Sequence, residues 1–301
     1  MAGLFRSLLS IPFTIRRLET KMNDLLMLEA KQCIGKFKYD GVPANITEFE
    51  FKVFSQWGDD GIIQYLVNKL DITEKKFIEF GIENYRESNT RFLLMNNNWD
   101  GLVFDGSNKN ITTVRSDDIF WRYNLKAECA FITAENINQL FEKNNFTGRV
   151  GLLHIDIDGN EYWIWKAIEN VDADIVIMEY NMYFGSERAI TIPYNPQFSV
   201  VNAHYSRIYF GASLAALNQL AEEKGYFFIG CNSAGNNAYF LNNRHKGKLN
   251  QLSVKDGFVM SKSRQTRNKT GELDFSDPAQ AADIIKGLPV INTITGATEI
   301  F

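Results

Sequence analysis

The sequence lacks several features that mark whole classes of protein. Its 301 residues include three cysteines, Cys33, Cys129 and Cys231, with no C-x-x-C pair, which excludes a disulfide framework and suits reduced thiols in a cytoplasm. Basic charge is not in excess, since the net charge is −4, which argues against a nucleic-acid binder. No apolar run reaches the roughly 18 to 20 residues of a membrane span. The first residues carry no clear cleavage signal, which argues against secretion.

A glycine-rich dinucleotide fingerprint is also missing. The stretch "FIEFGIENYRESNT" (77–90) has the strand, loop and helix order of such a motif, but it contains Gly81 alone where G-x-G-x-x-G needs three glycines. A pyrophosphate therefore has little reason to bind here, and a nucleoside without phosphates fits better. The next strand ends at Asp105, close to the usual distance for an acidic residue that binds ribose hydroxyls. Ala134 to Asn136 follow the third strand, where an adenine edge would be read, so the order of these residues favours an adenosine-type cofactor.

Apolar segments, in contrast, are abundant. Hydrophobic residues make up 45% of the chain and aromatic residues 13%, which is enough to bury a substantial core. From residue 59 onwards strand and helix patterns alternate, and near-continuous apolar strands predict a parallel sheet covered by helices on both faces. The segments "YFFIGCN" and "NAYFL" lie close enough in the sequence for an antiparallel hairpin. We therefore predict an α/β fold with an arm at 1–45, a catalytic domain at 46–245 and an extension at 246–301.

The arm is predicted to form a helix over residues 14–32. Its apolar residues recur at three- and four-residue spacing and give a narrow stripe, namely Ile15, Leu18, Met22 and Leu25. Three interpretations are open: packing on its own domain, a short coiled-coil contact in a homo-oligomer, or a helix on a membrane surface. The last is suggested by Phe5, Arg6, Phe13, Arg16 and Arg17.

Acidic residues follow two neighbouring strands of the predicted sheet. In "HIDIDGNEY" the side chains of Asp156 and Asp158 alternate onto one face at the strand end, and "MEYN" places Glu179 and Asn181 after the next strand. Carboxylates this close raise each other's pKa unless a cation or a donor lies between them. Oxygen ligands of this kind suit Mg²⁺ or Ca²⁺. The alternatives are that Asp156 bonds the cofactor loop while Asp158 caps a helix, or that the group acts as a metal-free base.

The histidines offer one further candidate. His204 lies in a loop predicted to face the same edge of the sheet, where two interpretations are open: a general base, or an ordinary histidine at the surface or along the substrate. His154 is interpreted as a buried strand residue. Candidate catalytic residues are therefore Asp158, Glu179 and His204.

Six segments together resemble the FkbM-type S-adenosylmethionine-dependent methyltransferases. They are "FSQWGDDGIIQYL", "FIEFGIENYRESNTRFLL", "GLVFDG", "FITAENINQLF", "LLHIDIDGNEYWIWKAI" and "IVIMEYN". The resemblance covers roughly residues 50–245 and implies a Rossmann-like methyltransferase sheet of seven mostly parallel strands, the last one antiparallel. It also implies a set of cofactor-binding residues: Gln56, Glu79, Gly81, Asn89, Asp105, Gly106, Glu135, Asn136 and Asp156. The acidic group resembles that of metal-dependent O-methyltransferases, with Asp156, Asp158, Glu179 and Asn181 as the implied metal ligands.

The predicted function is methyl transfer from S-adenosylmethionine to an oxygen nucleophile, with or without Mg²⁺. The resemblance implies a cytoplasmic enzyme whose acceptor is a sugar hydroxyl of a bacterial surface polysaccharide or of a glycosylated metabolite. Two alternatives belong to other classes. One is a nucleotide-dependent oxidoreductase on a Rossmann sheet, and the other is a non-catalytic binding module of the same fold.

Overall fold

The computed structural model describes residues 2–301, with side chains for residues 14, 15 and 17–301. A seven-stranded sheet forms the centre of the molecule, in the order β3-β2-β1-β4-β5-β8-β7. Its strands are β1 (Lys76–Phe80), β2 (Asp100–Asp105), β3 (Leu125–Cys129), β4 (Gly148–Ile155), β5 (Val171–Glu179), β7 (Tyr226–Cys231) and β8 (Asn237–Asn242). A second sheet, in the order β10-β9-β6, consists of β6 (Ile190–Thr191), β9 (Pro289–Asn292) and β10 (Thr298–Ile300).

Eleven α-helices accompany these strands in the described residues. They are α1 (Ala2–Lys36), α2 (Asp59–Lys69), α3 (Arg91–Asn97), α4 (Asn108–Ser116), α5 (Asp118–Arg122), α6 (Ile137–Asn144), α7 (Glu161–Ala167), α8 (Val200–Ala203), α9 (Leu214–Glu223), α10 (Val254–Gly257) and α11 (Pro278–Ile284). Side-chain caps start several of them: Ser107 accepts from the Asn110 amide at α4, and Asp277 accepts from Ala279 just before Pro278 at α11.

Strand direction confirms the predicted fold class. Strands β1 to β5 pair in parallel, whereas β8 runs antiparallel to both β5 and β7. This is the Rossmann-like methyltransferase sheet with its last strand reversed. Because β1 is central, its side chains alternate between two apolar clusters: Phe77 packs into one and Ile78 into the other, on opposite faces.

The arm helix is longer than predicted at both ends. Apolar spacing continues upstream in the sequence at Leu4, Leu8 and Ile11, which explains its earlier start. At the other end Ala30 lies in a cluster with Phe54 and Phe92, so packing extends the helix to Lys36. Within the part of the chain that the structure describes, no helix combines the length and the apolar character needed to cross a membrane.

The second half of α1 packs on the main domain through Met27, Ala30 and Ile34. The stripe that comprises Ile15, Leu18, Met22 and Leu25 lies on the outside, with each side chain more than half exposed. Of the residues that suggested a membrane-surface helix, Phe5, Arg6, Phe13 and Arg16 have side chains outside the described residues, and Arg17 is exposed.

The extension at 246–301 packs on the main domain. Strand β9 pairs with β6, and Ala281, Ile285 and Val290 belong to the same apolar cluster as β4 and β5. The predicted extension is therefore anchored through the small sheet, and the loop that precedes α11 brings Gln265 to the edge of the cavity described next.

Candidate active site

A cavity of about 500 Å³ opens at the carboxyl ends of the central strands. This is where doubly wound sheets bind ligands, and the volume lies in the range of small-molecule sites. The predicted site residues that line it are Gln56, Glu79, Gly81, Asn89, Asp105, Gly106, Asp156, Asp158 and Glu179. The other predicted residues, Glu135, Asn136, Asn181 and His204, are not among the lining residues.

Glu79 organises the loop that follows β1. Its buried carboxylate accepts five hydrogen bonds: from Ser88 Oγ (2.5 Å), Asn89 N (2.9 Å), Thr90 N (3.2 Å), Thr90 Oγ1 (2.5 Å) and His154 Nδ1 (3.0 Å). Burial favours the neutral acid, but the hydrogen bond and charge of His154 outweigh it and lower the pKa of Glu79. Burial lowers the pKa of His154 in turn, and its bond to Glu79 outweighs this and raises it. The pair therefore holds the loop through a buried ion pair, and His154 is a structural strand residue as predicted.

Gly81 is required by the packing of the chain against itself. Its φ is +69°, and a Cβ placed there would lie 1.8 Å from the carbonyl oxygen of Asp156. The sequence suggested that this glycine makes room for a ligand. The structure shows that the close approach is to the loop after β4. Gly81 therefore allows the loop after β1 to pack directly against the loop after β4.

Replacing Gly81 with alanine should therefore destabilise the protein strongly. The left-handed backbone and the contact with Asp156 together predict a loss on the order of 2–4 kcal/mol in the free energy of unfolding. Urea unfolding measures this loss. Gly106→Ala is the matched control, because a Cβ at Gly106 meets only the Phe131 ring at 3.6 Å. Equal stability of the two variants would contradict the assignment.

Asp105 ends β2 at the opposite wall of the cavity. Its Oδ1 accepts from the Ser107 amide at 2.7 Å and from Asn110 Nδ2 at 3.0 Å, so the carboxylate is held in place from the start of α4. Within the described residues these donors engage Oδ1 alone. Oδ2 is therefore available for a pair of hydroxyls, as the ribose prediction requires.

The third strand ends earlier than predicted, and this changes which residues line the cavity. Strand β3 pairs with β2 only as far as Asp105 and Cys129, because β2 ends there and leaves no backbone to pair with. The next residues, Ala130, Phe131 and Ile132, become a loop that lines the cavity. Phe131 is 57% exposed and lies beside Gly106. An exposed aromatic ring next to a residue without a side chain is a suitable surface for a flat base.

Glu135 and Asn136 lie beyond this wall. Tyr194 donates to the Glu135 carboxylate at 2.6 Å. Asn136 accepts from the Thr133 amide and donates to the Phe131 carbonyl, which fixes the loop. Sequence reasoning missed Phe131 and Ile132 because "FIT" has the pattern of a buried strand. The position of β3 at the edge of the sheet could have indicated the loop, because an edge strand pairs with one neighbour and ends where that neighbour ends.

The predicted acidic group does assemble. Strand β4 ends at Ile155, and the chain turns at Asp158, whose φ is +54°. Oxygen atoms of Asp156, Asp158 and Glu179 lie within 4.8 Å of one another. Glu161 reaches the same loop from α7, accepting from the Ile157 and Gly159 amides at 3.1 and 2.6 Å. The loop thus gathers four carboxyl groups.

Burial and mutual repulsion change the protonation of this group. Burial raises the pKa of Asp156 to about 7, against the opposing charge of His154, and raises that of Glu161 to about 8. Burial and the charge of Asp156 hold the pKa of Glu179 well above its usual value, while burial also raises that of Asp158. Carboxyl groups in this state exchange protons near neutral pH, which is what acid–base catalysis requires.

Asn181 and His204 are not brought to this group. Asn181 donates to the Ile208 and Phe210 carbonyls, both at 2.8 Å, and accepts from the Tyr183 amide, so its amide is used up in holding the loop after β5. His204 bonds Ser206 Oγ at 2.7 Å and packs against the Tyr205 ring. The structure therefore corrects both predictions, since neither side chain faces the cavity that contains the carboxyls.

The lining as a whole fits an adenosine-bearing sulfonium compound. An apolar wall with an exposed ring, a carboxylate at the end of β2 and a polar loop after β1 follow one another around the cavity, in the order base, ribose and amino acid. The carboxyl group stands across from them. The missing side chain of Gly106 leaves the slot beside Phe131 open.

Comparisons with known proteins give likenesses of fold. No family model and no curated protein matches the chain. Among solved structures, the N-terminal domain of EvdMO1 with SAH bound has 11% sequence identity and a TM-score of 0.40, covering 72% of this chain and 94% of that one. A S-adenosylmethionine-dependent methyltransferase from Clostridium acetobutylicum has 10% identity and a TM-score of 0.40, covering 61% and 90%. An O-methyltransferase family protein from Burkholderia thailandensis has 11% identity and a TM-score of 0.36, covering 68% and 59%. Likenesses of this size do not define a function, which has to follow from the site.

Proposed function

We propose that the protein is an S-adenosylmethionine-dependent O-methyltransferase. The observation that carries the proposal is that one cavity is lined both by the Phe131 ring with the Asp105 carboxylate and by a cluster of carboxyls, at the carboxyl ends of a sheet with methyltransferase topology. Asp105 holds the ribose, the Gly106 and Phe131 wall holds the adenine, and the loop anchored on Glu79 holds the methionine end.

The chain's own residues supply alignment and a proton acceptor. S-Adenosylmethionine, when bound, provides a methyl group on a sulfonium. Fixing an acceptor hydroxyl in line with that methyl group contributes up to about 7–11 kcal/mol in well-oriented systems. Asp158 is the most accessible carboxyl of the group and receives the hydroxyl proton, and burial raises its pKa, which makes it a stronger base than an ordinary aspartate.

A divalent cation fits the same group. Glu179 Oε2 is buried without a hydrogen-bond partner among the described residues, beside the carboxyls of Asp156 and Asp158. Hard oxygen ligands suit Mg²⁺, with Asp156, Asp158 and Glu179 as the protein ligands. A cation there lowers the pKa of an acceptor hydroxyl.

The acceptor is proposed to be a sugar hydroxyl of a bacterial surface polysaccharide or a glycosylated metabolite. The rim of the cavity supports this with amide and carboxyl side chains of a kind that can bond hydroxyls, namely Gln56, Glu87 and Gln265. The FkbM-type resemblance of the sequence points the same way. Free thiols at Cys33, Cys129 and Cys231 accord with a cytoplasmic location.

The exposed stripe on α1 supports a homo-oligomer. Ile15, Leu18, Met22 and Leu25 follow the a and d spacing of a coiled coil, and a second copy of the same helix offers the matching face. Native mass spectrometry distinguishes this from a monomer whose helix binds elsewhere.

Two other functions receive less support. A nucleotide-dependent oxidoreductase would need a pyrophosphate site, whereas the loop after β1 has one glycine whose free space is filled by Asp156. A non-catalytic binding module gives no reason for four carboxyls with raised pKa values at the bottom of an open cavity.

Removing the Asp105 carboxylate should weaken cofactor binding. We expect Asp105→Ala to lower the affinity for S-adenosylhomocysteine by about 1–3 kcal/mol, because two ribose hydroxyls lose their acceptor. Isothermal titration calorimetry measures the change. Asp100→Ala is the matched control, since Asp100 begins the same strand at its other end. Unchanged affinity of the Asp105 variant would refute the ribose assignment.

A further inference from the structure

Asn237 has a buried amide oxygen that no group of the described chain satisfies. The residue is 2% exposed and lines the cavity together with Asp156, Asp158 and Glu179. Its Oδ1 has no hydrogen-bond partner among the described residues, although an orphaned buried acceptor is costly. The oxygen therefore needs a partner that comes from outside the chain.

The buried carboxylate of Asp59 fixes the orientation of the Asn237 side-chain amide. Asn237 Nδ2 donates to Asp59 Oδ1 at 3.1 Å, and Tyr239 and Asn232 donate to the same carboxylate at 2.5 and 3.1 Å. Turning the amide over would bring its oxygen against the Asp59 carboxylate, which repels it. Asp59 thus holds the NH₂ group and leaves Oδ1 as the atom that remains for a ligand.

The position of Asn237 in the sheet sets it beside the carboxyl cluster. Asn237 on β8 is the direct cross-strand partner of Glu179 on β5. Side chains of such a pair lie on the same face of the sheet, about 5 Å apart at Cβ. Glu179 Oε2 is also buried without a partner among the described residues, so two orphaned acceptors stand next to each other.

In its ionised form the group contains acceptors only. Asp156, Asp158 and Glu179 then offer carboxylate oxygens that lie within 4.8 Å of one another, Asn237 on the neighbouring strand offers an amide oxygen, and the Asn237 amide nitrogen donates to Asp59. A hard cation binds carboxylates and amide oxygens of this kind, and its binding releases the protons that the carboxyls hold near neutral pH. A neutral amide oxygen suits the fourth ligand position, because a fourth carboxylate would add repulsion among the ligands.

We propose that Asn237 is the fourth protein oxygen ligand of a Mg²⁺-type cation held by Asp156, Asp158 and Glu179. This inference rests on the proposed function, because it places the cation in the cavity that receives the acceptor. It assigns to the reversed strand β8 the amide ligand that the sequence suggested for Asn181 on the loop after β5.

Metal binding to the full chain tests this directly. We expect one Mn²⁺ to bind to the wild-type protein, as counted by electron paramagnetic resonance, and Mg²⁺ to displace it. Asn237→Ala should weaken Mn²⁺ binding about tenfold or more. Asn236→Ala is the matched control, because Asn236 Oδ1 already accepts from Asn232 at 2.8 Å, and its Mn²⁺ affinity should stay within about twofold of the wild type. Affinity for S-adenosylhomocysteine is measured on each variant, to check folding and to test the proposed function separately.

Crystals of the wild-type protein soaked in Mn²⁺ provide a test that does not depend on the folding of a variant. An anomalous peak about 2.1–2.3 Å from Asn237 Oδ1 is expected. The role of Asn237 is overturned if the Mn²⁺ peak lies among the carboxylates but beyond ligand distance of Asn237. It is also overturned if the Asn237→Ala variant binds Mn²⁺ with wild-type affinity. Absence of Mn²⁺ binding alongside intact S-adenosylhomocysteine binding overturns the cation site and leaves the methyltransferase proposal standing. Absence of S-adenosylhomocysteine binding overturns that proposal instead.

Discussion

Raising the pH from about 5 to about 8, in the presence of a chelator, should lower the free energy of unfolding by about 3–5 kcal/mol. The cause is the buried acidic group after β4. Asp156 has a pKa of about 7 and Glu161 of about 8 in the folded protein, against usual values of 3.8 and 4.5. Unfolding by urea at a series of pH values measures the effect.

The sign follows from proton linkage. A carboxyl whose pKa is raised on folding keeps its proton at pH values where the unfolded chain has already lost it. Its stabilising effect is complete below the unfolded pKa and is lost as the pH rises through the folded pKa. A rise in the pKa of Asp156 from 3.8 to about 7 corresponds to about 4 kcal/mol of unfolding free energy. Because the carboxyls repel one another, their pKa shifts are coupled, and the total effect is smaller than the sum of the individual effects. His154, whose pKa is also raised, adds a loss in the same direction.

The acid side of the profile has a different origin. His245, Arg149 and Arg244 overcome the burial of Asp174 and lower its pKa to about 2. A lowered pKa stabilises the fold above the unfolded value, and this contribution disappears as the pH falls from about 4 towards 2. Maximum stability is therefore expected near pH 4–5.

Two variants identify the group responsible. Glu161→Gln keeps the acceptor that bonds the Ile157 and Gly159 amides and removes the charge, so it should flatten the fall towards pH 8 and raise stability there. Glu83→Gln, at an exposed site in the loop after β1, should leave the profile unchanged. Stability that stays constant or rises between pH 5 and 8 would contradict the burial of four carboxyls at this site.

Truncating Glu79 should have the other large effect. We expect Glu79→Ala to cost about 3–5 kcal/mol of unfolding free energy, because it leaves the buried His154 and four loop donors without their shared acceptor. It should also abolish detectable binding of S-adenosylhomocysteine, since the loop 81–90 loses its anchor. Urea unfolding and calorimetry measure the two effects.

The control for this variant comes from the same loop. Glu83→Ala removes an exposed carboxylate and should change stability by less than about 0.5 kcal/mol. A Glu79→Ala protein of wild-type stability would mean that the hydrogen-bond network around Glu79 does not hold the loop in solution.

The sequence predicted well what depends on local pattern and strand order. Apolar strands that alternate with helices gave the sheet, and the two-residue spacing of Asp156 and Asp158 gave their convergence with Glu179, because carboxyl ends of parallel strands share one edge. Asp105 was found for the same reason, since it ends a strand next to β1.

What depends on tertiary contacts could not be read from the chain. Asn237 and Glu179 are partners only because β8 returns antiparallel beside β5, and nothing in "NAYFL" shows its register. Asn181 was chosen by its nearness in sequence to Glu179, whereas its amide is used by two carbonyls that come from a distant loop. Gly81 lines the cavity, but the atom that excludes a side chain at this position belongs to Asp156, a contact that the sequence does not show.

Thermal unfolding with S-adenosylhomocysteine or with NAD tests the central claim most directly. The cavity described here predicts that S-adenosylhomocysteine at about 100 times its dissociation constant stabilises the wild-type protein by about 2.7 kcal/mol, seen as a higher Tm, while NAD at the same concentration leaves the Tm unchanged. A higher Tm with NAD alone, or no change with either compound, would contradict the account.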